Sequence, residues 1–226
     1  MRRLVLASGN AHKLVELRAM FAAAGLPFTL HAARELGPAP TIAEDQDSFV
    51  AHAALKARGI AAWLRGRGEA GETLVLADDS GVCVDALGGA PGVDSAVFAG
   101  PQADDAANNA ALLAALAERG LTRSPAHYVC VLALRRVDGE PMQLHGSDAH
   151  AVGPDLTLFT ARWHGEIRCE RAGAAGFGYD PYFWIPACAG AQGPTTAAAL
   201  TPAEKNACSH RGLAVRALIA GLAVMA

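Results

Sequence analysis

The chain has 226 residues, of which 52% are hydrophobic and 18% are charged, and its formal net charge is −3. This composition excludes a disordered chain, and the lack of excess Lys and Arg argues against a protein that coats nucleic acid. We expect one compact globular domain over residues 1–226.

Cysteine usage and hydropathy indicate the compartment. The five cysteines include no C-x-x-C pair and match neither a disulfide framework nor a zinc cluster. No stretch approaches the roughly 20 apolar residues of a membrane helix, and the N-terminal apolar run is too short for a signal peptide. We therefore expect a cytoplasmic protein with neither a membrane nor a nucleic acid as its partner.

Strand-like and helix-like patterns alternate from the start of the chain. Residues 4–7 read as a buried strand, and after a polar loop the apolar residues at 14–21 recur at helical spacing. A second strand is expected near residues 28–31. Ser48 is expected to cap a helix that runs to Leu64.

The middle of the chain continues this alternation. A β-prone run at residues 73–77 is expected to stop at the acidic pair Asp78 and Asp79. A helix is expected over residues 103–119 and a buried strand over residues 127–134. The alternation indicates an α/β layer fold.

The C-terminal third is less regular. Residues 146–163 show no clear pattern, and a β-hairpin arm is one reading of them. Residues 201–204 have the order of a capping box, with proline at the first helical position, so a helix is expected to begin there. Residues 210–212 are expected to interrupt that helix before a last one begins at Leu213.

The first candidate site lies at the junction of the first strand and helix. Ser8, Gly9 and Asn10 are followed by Lys13 and Glu16. Backbone N–H groups and the helix N-terminus can bind an anion there, with Lys13 facing it. The alternative is a plain capped turn. No Walker A loop occurs in the chain.

The second candidate site is the acidic pair Asp78 and Asp79. Adjacent carboxylates at the end of a core strand repel each other, which makes a divalent cation a natural partner. Mg²⁺ suits such a site because it takes one or two carboxylates together with water and substrate phosphate. Glu44, in an acidic loop, is a further candidate ligand. The alternatives are an Asx-turn and a solvated loop.

Two later segments suit a planar ligand. The glycines at 176 and 178 let backbone approach a ligand, and Phe177 or Tyr179 can stack on a base. Beyond them, Lys205, His210 and Arg211 can donate hydrogen bonds to base carbonyls or phosphates. A structural turn and a surface helix end explain these segments equally well.

Taken in this order, the segments resemble the inosine/xanthosine triphosphate pyrophosphatase family. The similarity extends from near residue 4 to near residue 216. The matching stretches are Leu6-Ala7-Ser8-Gly9-Asn10-x-x-Lys13-x-x-Glu16, Phe49-x-x-x-Ala53-x-x-Lys56-Ala57, Ala77-Asp78-Asp79-Ser80-Gly81, Gly176-Phe177-Gly178-Tyr179-Asp180-Pro181 and Ser209-His210-Arg211-Gly212.

The resemblance implies an elongated mixed β-sheet flanked by helices, with two lobes and a central substrate cleft, working as a homodimer. It implies hydrolysis of ITP, dITP and XTP to the nucleoside monophosphate and pyrophosphate, with Mg²⁺, or alternatively Mn²⁺, as cofactor. By position, Asp79 corresponds to the general base, and Glu44, Asp78 and Asp79 to the metal ligands. The positions that correspond to substrate-binding residues are Ser8, Gly9, Asn10, Lys13, Lys56, Ser80, Phe177, Gly178, Tyr179, Asp180, Lys205, His210 and Arg211.

Some positions depart from the family pattern. The usual Phe-x-Glu-Asn-Ala is replaced by Phe49-Val50-Ala51-His52-Ala53, and a later tyrosine and arginine are replaced by Asp94 and Val97. The segment 147–160 is longer than usual. Three alternatives therefore stay open: a non-catalytic nucleotide-binding protein, a pyrophosphatase for modified pyrimidine nucleotides, and a metal-dependent phosphatase that removes single phosphates.

Overall fold

The computed structural model describes residues 2–43, 46–69, 72–142, 144, 149–152, 154–186 and 193–223. Its helices are α1 (Ala11–Ala24), α2 (Phe49–Gly66), α3 (Asp105–Ala117), α4 (Pro202–Cys208) and α5 (His210–Ala223). Its strands are β1 (Arg2–Leu6), β2 (Phe28–Ala32), β3 (Leu74–Val84), β4 (Arg123–Arg136), β5 (Ala149–Ala151), β6 (Thr157–Arg168), β7 (Phe183–Ile185) and β8 (Thr195–Thr196).

Side-chain caps explain where three of these helices begin. Asn10 accepts hydrogen bonds from the first backbone N–H groups of α1, and Asp104 accepts one from the first turn of α3. The predicted capping box of Thr201 and Glu204 is confirmed at the start of α4. Each cap satisfies N–H groups that have no partner within the helix.

The described strands form one mixed sheet in the order β2-β1-β3-β4-β6-β7-β8, with β5 paired to β6. Strand β1 runs parallel to both β2 and β3. The pairs β5–β6, β6–β7 and β7–β8 are antiparallel. The predicted α/β class with a mixed sheet is confirmed, and so is a hairpin within the segment that had no clear pattern.

The chain divides into two compact units. The first comprises the residues up to Asp79, Cys130–Ala161 and the residues from Ala214 onward. In its core, apolar residues of β1 and β3 pack with one face of α1 and one face of α5. The buried residues of this core include Leu4, Leu6, Leu74, Leu76, Leu14, Leu17, Phe21, Val215, Leu218 and Leu222.

The second unit comprises Ser80–Val129 and Arg162–Leu213. Its core contains Leu112 and Leu116 from α3, together with the aromatic rings of Tyr128, Trp163 and Phe183 from three strands. The apolar residues of α3 are four positions apart and so lie on one face of the helix, which packs against the aromatic rings of the sheet.

Three sequence-based expectations need correction. Strand β3 does not stop at Asp78 but continues to Val84, because the two acids are buried and charge-paired instead of forming a turn. Residues 210–212 do not interrupt a helix, because α5 begins at His210, directly after the extended Ser209. Ser48 precedes α2 as expected, but its side chain makes no capping hydrogen bond among the described residues.

Gly212 explains how α5 can begin so soon after α4. A Cβ at this position would collide with the carbonyl oxygen of Asn206 in α4. Glycine therefore permits the close approach of the two backbones. Within the described residues, no helix is long and apolar enough to cross a membrane.

Candidate functional site

The acidic pair lies in the interior of β3. Asp78 is 1% exposed and Asp79 is 5% exposed. Adjacent carboxylates repel each other, so each of them needs a partner of opposite charge. A buried carboxylate is costly unless an opposite charge and hydrogen bonds compensate it.

Two lysines provide that compensation. The ammonium of Lys13, from α1, lies 2.6 Å from Oδ1 of Asp78 and also donates to the backbone carbonyl of Asp78. The ammonium of Lys56, from α2, lies 2.7 Å from Oδ1 of Asp79. We call Lys13, Lys56, Asp78 and Asp79 the carboxylate–lysine cluster. The structure thus joins four of the predicted site residues of the first unit in two ion pairs on neighbouring residues of one strand.

Each carboxylate also has one further side chain near its second oxygen. The thiol of Cys130, on β4, lies 3.8 Å from Oδ2 of Asp78 and donates to it. The ring nitrogen Nδ1 of His52, on α2, lies 3.4 Å from Oδ2 of Asp79. Each carboxylate therefore has a lysine at one oxygen and a second polar side chain near the other.

The predicted anion-binding loop precedes α1. Oδ1 of Asn10 accepts from the backbone N–H groups of His12 and Lys13, and the backbone N–H of Asn10 donates to the Ser8 hydroxyl. Gly9 is exposed, with open space where a Cβ would stand. The loop thus presents the N-terminal end of a helix, where anions are favoured, next to Lys13 in the chain.

In the second unit, Asp180 organises the loop formed by residues 176–181. Its Oδ2 accepts from the backbone N–H of Phe177 at 2.9 Å and from the ammonium of Lys205 at 2.7 Å. The Lys205 ammonium also lies 4.7 Å from the centroid of the Phe177 ring, within cation–π range. Asp180 and Lys205 are both buried, so they form a structural ion pair beneath the loop.

The backbone of Gly178 is fixed by α3. Its N–H donates to Oδ2 of Asp105 at 2.6 Å, and its carbonyl accepts from Nδ2 of Asn109 at 2.9 Å. The hydroxyl of Tyr179 donates to the carbonyl of Ser95, and burial raises the pKa of this phenol. Tyr179 is almost fully buried and so serves as an anchor for the loop.

Arg211 and His210 open helix α5. The guanidinium of Arg211 donates to the Ser80 hydroxyl at 2.8 Å and lies 5.9 Å from the Phe177 ring centroid. The His210 ring is buried and stacks on Tyr128, with ring centroids 4.6 Å apart and planes 5° apart. Burial also raises the pKa of Tyr128 well above its ordinary value. Arg211 therefore reaches the predicted substrate contact Ser80, whereas His210 packs into an aromatic cluster.

Comparison with known proteins decides the family. A family model described as the Ham1 family matches residues 4–221. The chain belongs to the Ham1 family.

Curated relatives and solved structures agree with this membership. A protein from Chromobacterium violaceum named dITP/XTP pyrophosphatase is 43% identical over 224 residues, covering 99% of this chain and 98% of its own. One of the same name from Burkholderia pseudomallei is 44% identical, with 97% and 93% covered. The structure of a HAM1 protein from Coxiella burnetii aligns with a TM-score of 0.79 at 35% identity, covering 99% of this chain and 100% of its own.

Some residues that contact the predicted site residues were not foreseen. His52 appeared only as a departure from the family pattern, and Cys130, Asp105, Asn109 and Tyr128 carried no local signal. Their contacts join segments that are far apart in sequence. Glu44, predicted as a metal ligand, lies outside the described residues.

Proposed function

We propose that the chain hydrolyses non-standard purine nucleoside triphosphates, namely ITP, dITP and XTP, to the nucleoside monophosphate and pyrophosphate. The observation that carries this proposal is the carboxylate–lysine cluster, two adjacent buried acids that are each paired with a lysine from a different helix. Membership of the Ham1 family and the names of the relatives support it.

The cluster suits a triphosphate because its charges can exchange partners. Lys13 and Lys56 are donors for phosphate oxygens, and the N-terminus of α1, where Lys13 lies, favours an anion. With a triphosphate and its cation bound, Lys13 and Lys56 would pair with phosphate oxygens, and Asp78 and Asp79 would be ligands for the cation. Each charged group then keeps a partner of opposite charge, so no buried charge is left uncompensated.

A divalent cation fits the donor chemistry of this cluster. Carboxylate oxygens are hard ligands, and Mg²⁺ needs only one or two of them beside water and phosphate oxygens. Among the described residues no group of three or more His, Cys, Asp or Glu side chains could hold a metal ion, and Glu44 lies outside them. We propose that Asp78, Asp79 and Glu44 hold Mg²⁺, with Mn²⁺ as the alternative, which supplies charge neutralisation and a more acidic water.

Asp79 is the group that we assign to the attacking water. Its carboxylate accepts the proton while the oxygen of the water forms a bond to the α-phosphorus and the bond to the pyrophosphate oxygen breaks. In the structure, Oδ1 of Asp79 lies 2.7 Å from the ammonium of Lys56. A carboxylate freed from this pair is a suitable acceptor for a proton from water that a bound cation would make more acidic. Positive charge from Lys13 offsets the charge that develops on the leaving pyrophosphate.

We propose that residues of the second unit bind the purine base of the substrate. O6 is an acceptor in hypoxanthine and xanthine, whereas adenine presents an amine there. A donor such as Arg211 is satisfied by the former and left unpaired by the latter, at a cost of about 1–3 kcal/mol. Phe177 offers a half-buried ring for stacking, beside Lys205, Gly178, Asp180 and Tyr179.

We further propose that residues 1–226 work as a single functional domain, as a homodimer, in the cytoplasm. The family match supports the first part, since residues 4–221 include both compact units. The dimer rests on the family resemblance alone, and the compartment rests on cysteine usage and hydropathy. Light scattering of the purified protein at several concentrations tests the dimer.

Product analysis tests the activity. The protein is incubated with ITP, dITP, XTP, GTP, ATP and modified pyrimidine nucleotides, each with Mg²⁺ and with excess chelator. We expect pyrophosphate and monophosphate from the non-standard purines, and no turnover with chelator. Orthophosphate release would indicate a phosphatase, preference for pyrimidines a different substrate class, and binding without products a non-catalytic protein.

A further inference from the structure

His52 makes a contact that the general-base assignment does not use. The side chain lies in the first turn of α2 and is 3% exposed. Its ring touches two separate parts of the first unit. Nδ1 lies 3.4 Å from Oδ2 of Asp79, and Nε2 accepts a hydrogen bond from the backbone N–H of Gln46 at 3.3 Å.

The contact with Gln46 determines where the imidazole proton sits. A backbone N–H is always a donor, so Nε2 must present its lone pair to it. In a neutral imidazole the other nitrogen then carries the proton. The protonated Nδ1 therefore lies 3.4 Å from Oδ2 of Asp79, a close contact without the geometry of a hydrogen bond.

Asp79 consequently has a neighbour at each of its two oxygens. Lys56 contacts Oδ1 at 2.7 Å and His52 faces Oδ2. The same ring also grips the backbone at Gln46, in the segment that leads into α2. One side chain thus sets the spacing between the proposed general base and this segment.

We propose that His52 is a positioning residue that orients the Asp79 carboxylate toward the attacking water by tying it to the backbone at Gln46. This inference rests on the proposed function. The same geometry excludes a proton relay, because Nδ1 already carries a proton and the lone pair of Nε2 is engaged by Gln46. His52 therefore acts through Asp79 and takes no proton from it.

Three variants separate the two contacts. His52→Asn keeps a donor at the position of Nδ1 but loses the acceptor for Gln46. His52→Gln keeps an acceptor at the position of Nε2 but loses the donor for Asp79. His52→Leu removes both while filling most of the same volume.

We expect kcat with ITP at saturating Mg²⁺ to fall in the order wild type, His52→Asn, His52→Gln, His52→Leu. For His52→Leu, kcat should fall about tenfold or more. This loss is smaller than the full contribution of a general base, because Asp79 itself is still present. KM should change much less than kcat, because no contact with substrate is removed. Thermal unfolding of each variant shows whether the fold is kept.

The result that overturns the proposal is a His52→Leu enzyme with wild-type kcat. An equal fall in all three variants that follows their loss of thermal stability also overturns it, since that pattern indicates packing alone.

A second measurement uses the metal-free protein and no activity. Nitrogen-15 NMR of the histidine rings, with His52→Asn to assign the signal, should show a protonated Nδ1 and an unprotonated Nε2. The opposite tautomer would refute the proposed orientation. If the wild type released no pyrophosphate from ITP, the proposed function would fail, while the NMR measurement would still decide whether His52 holds Asp79.

Discussion

The ammonium of Lys13 lies 2.6 Å from Oδ1 of Asp78, whose side chain is completely buried. Replacing Lys13 by Met removes this compensating charge and leaves the carboxylate in the interior. We expect the free energy of unfolding to fall by about 3 kcal/mol, as for other buried pairs that lose one partner. Urea unfolding at pH 7 measures it.

The double variant Lys13→Met/Asp78→Asn provides the control for this prediction. It removes both charges, so most of the lost stability should return. Equal losses in the single and the double variant would show that the charge of Asp78 is not the cause.

The assignment of Asp79 as general base predicts a selective kinetic defect. Asp79→Asn keeps the shape of the side chain but cannot accept a proton, so kcat with ITP should fall by about 10²–10⁴-fold. Binding of a non-hydrolysable ITP analogue should be nearly unchanged in calorimetry. Asp94→Asn, the same change at an exposed carboxylate, is the control. Wild-type turnover by Asp79→Asn would refute the assignment.

The residues of the carboxylate–lysine cluster were predictable from the sequence, but the burial of the two acids within a continuous strand was not. The segments of Lys13, Lys56 and Asp79 each matched a motif, so their roles could be proposed together. Aspartate is disfavoured in strands, which is why β3 was expected to end at Asp78. Strand β3 continues because Lys13 and Lys56 compensate its two aspartates. Lys13 lies 65 residues from Asp78 and Lys56 lies 23 residues from Asp79, and local propensity does not include such tertiary pairings.

A similar limit applies in the second unit. The donors of His210 and Arg211 were visible in the sequence, and both were expected to face the base. The structure stacks His210 on Tyr128, a ring from β4. The continuous apolar run of β4 predicts that Tyr128 is buried, but not which residue covers it. Packing partners of this kind are set by topology and not by local pattern.

Gly176 is predicted to be essential for the loop that carries Phe177. Its φ of +80° disfavours other residues, and a Cβ there would collide with Oδ2 of Asp180. Gly178 has a φ of +61° but open space around its Cβ position. Both alanine variants carry backbone strain of about 1–3 kcal/mol. Gly176→Ala should lose at least about 1 kcal/mol more, because the collision also disturbs the Asp180 pair.

Urea unfolding of Gly176→Ala and Gly178→Ala compares these costs directly. Equal losses of stability would show that Asp180 moves aside without cost. A parallel test follows KM for ITP, which should rise further in Gly176→Ala because the backbone N–H of Phe177 loses its acceptor.

Asp155 predicts a pH-dependent contribution to stability. Hydrogen bonds from Arg58 are the first cause of its lowered pKa, and charge from Arg58 and Arg135 adds to it. A carboxyl with a lowered pKa stabilises the fold above its unfolded pKa of about 4, and this contribution is lost as pH falls through the folded value.

Asp155→Asn should therefore be less stable than wild type by about 1 kcal/mol at pH 7, a value reduced by partial exposure to solvent. The difference should shrink toward zero as pH falls below about 4. Unfolding free energies of both proteins over this range give the measurement. A difference that stays constant at acid pH would rule out the carboxylate charge as its source.

Arg211 is predicted to set base selectivity. Its guanidinium donates to Ser80 and is 3% exposed, so it is a fixed donor with little freedom to avoid an unsuitable base. Replacing it by Gln removes the donor that O6 satisfies, and kcat/KM for ITP should fall by about 10–100-fold. The value of kcat/KM for ATP should change little, because adenine never paired with this group.

The ratio of kcat/KM for ITP to kcat/KM for ATP should therefore fall in Arg211→Gln. The control is Arg216→Gln, at an exposed position of the same helix, which should leave this ratio unchanged. A parallel loss with both nucleotides would assign Arg211 to the phosphates or to the fold, and not to recognition of the base.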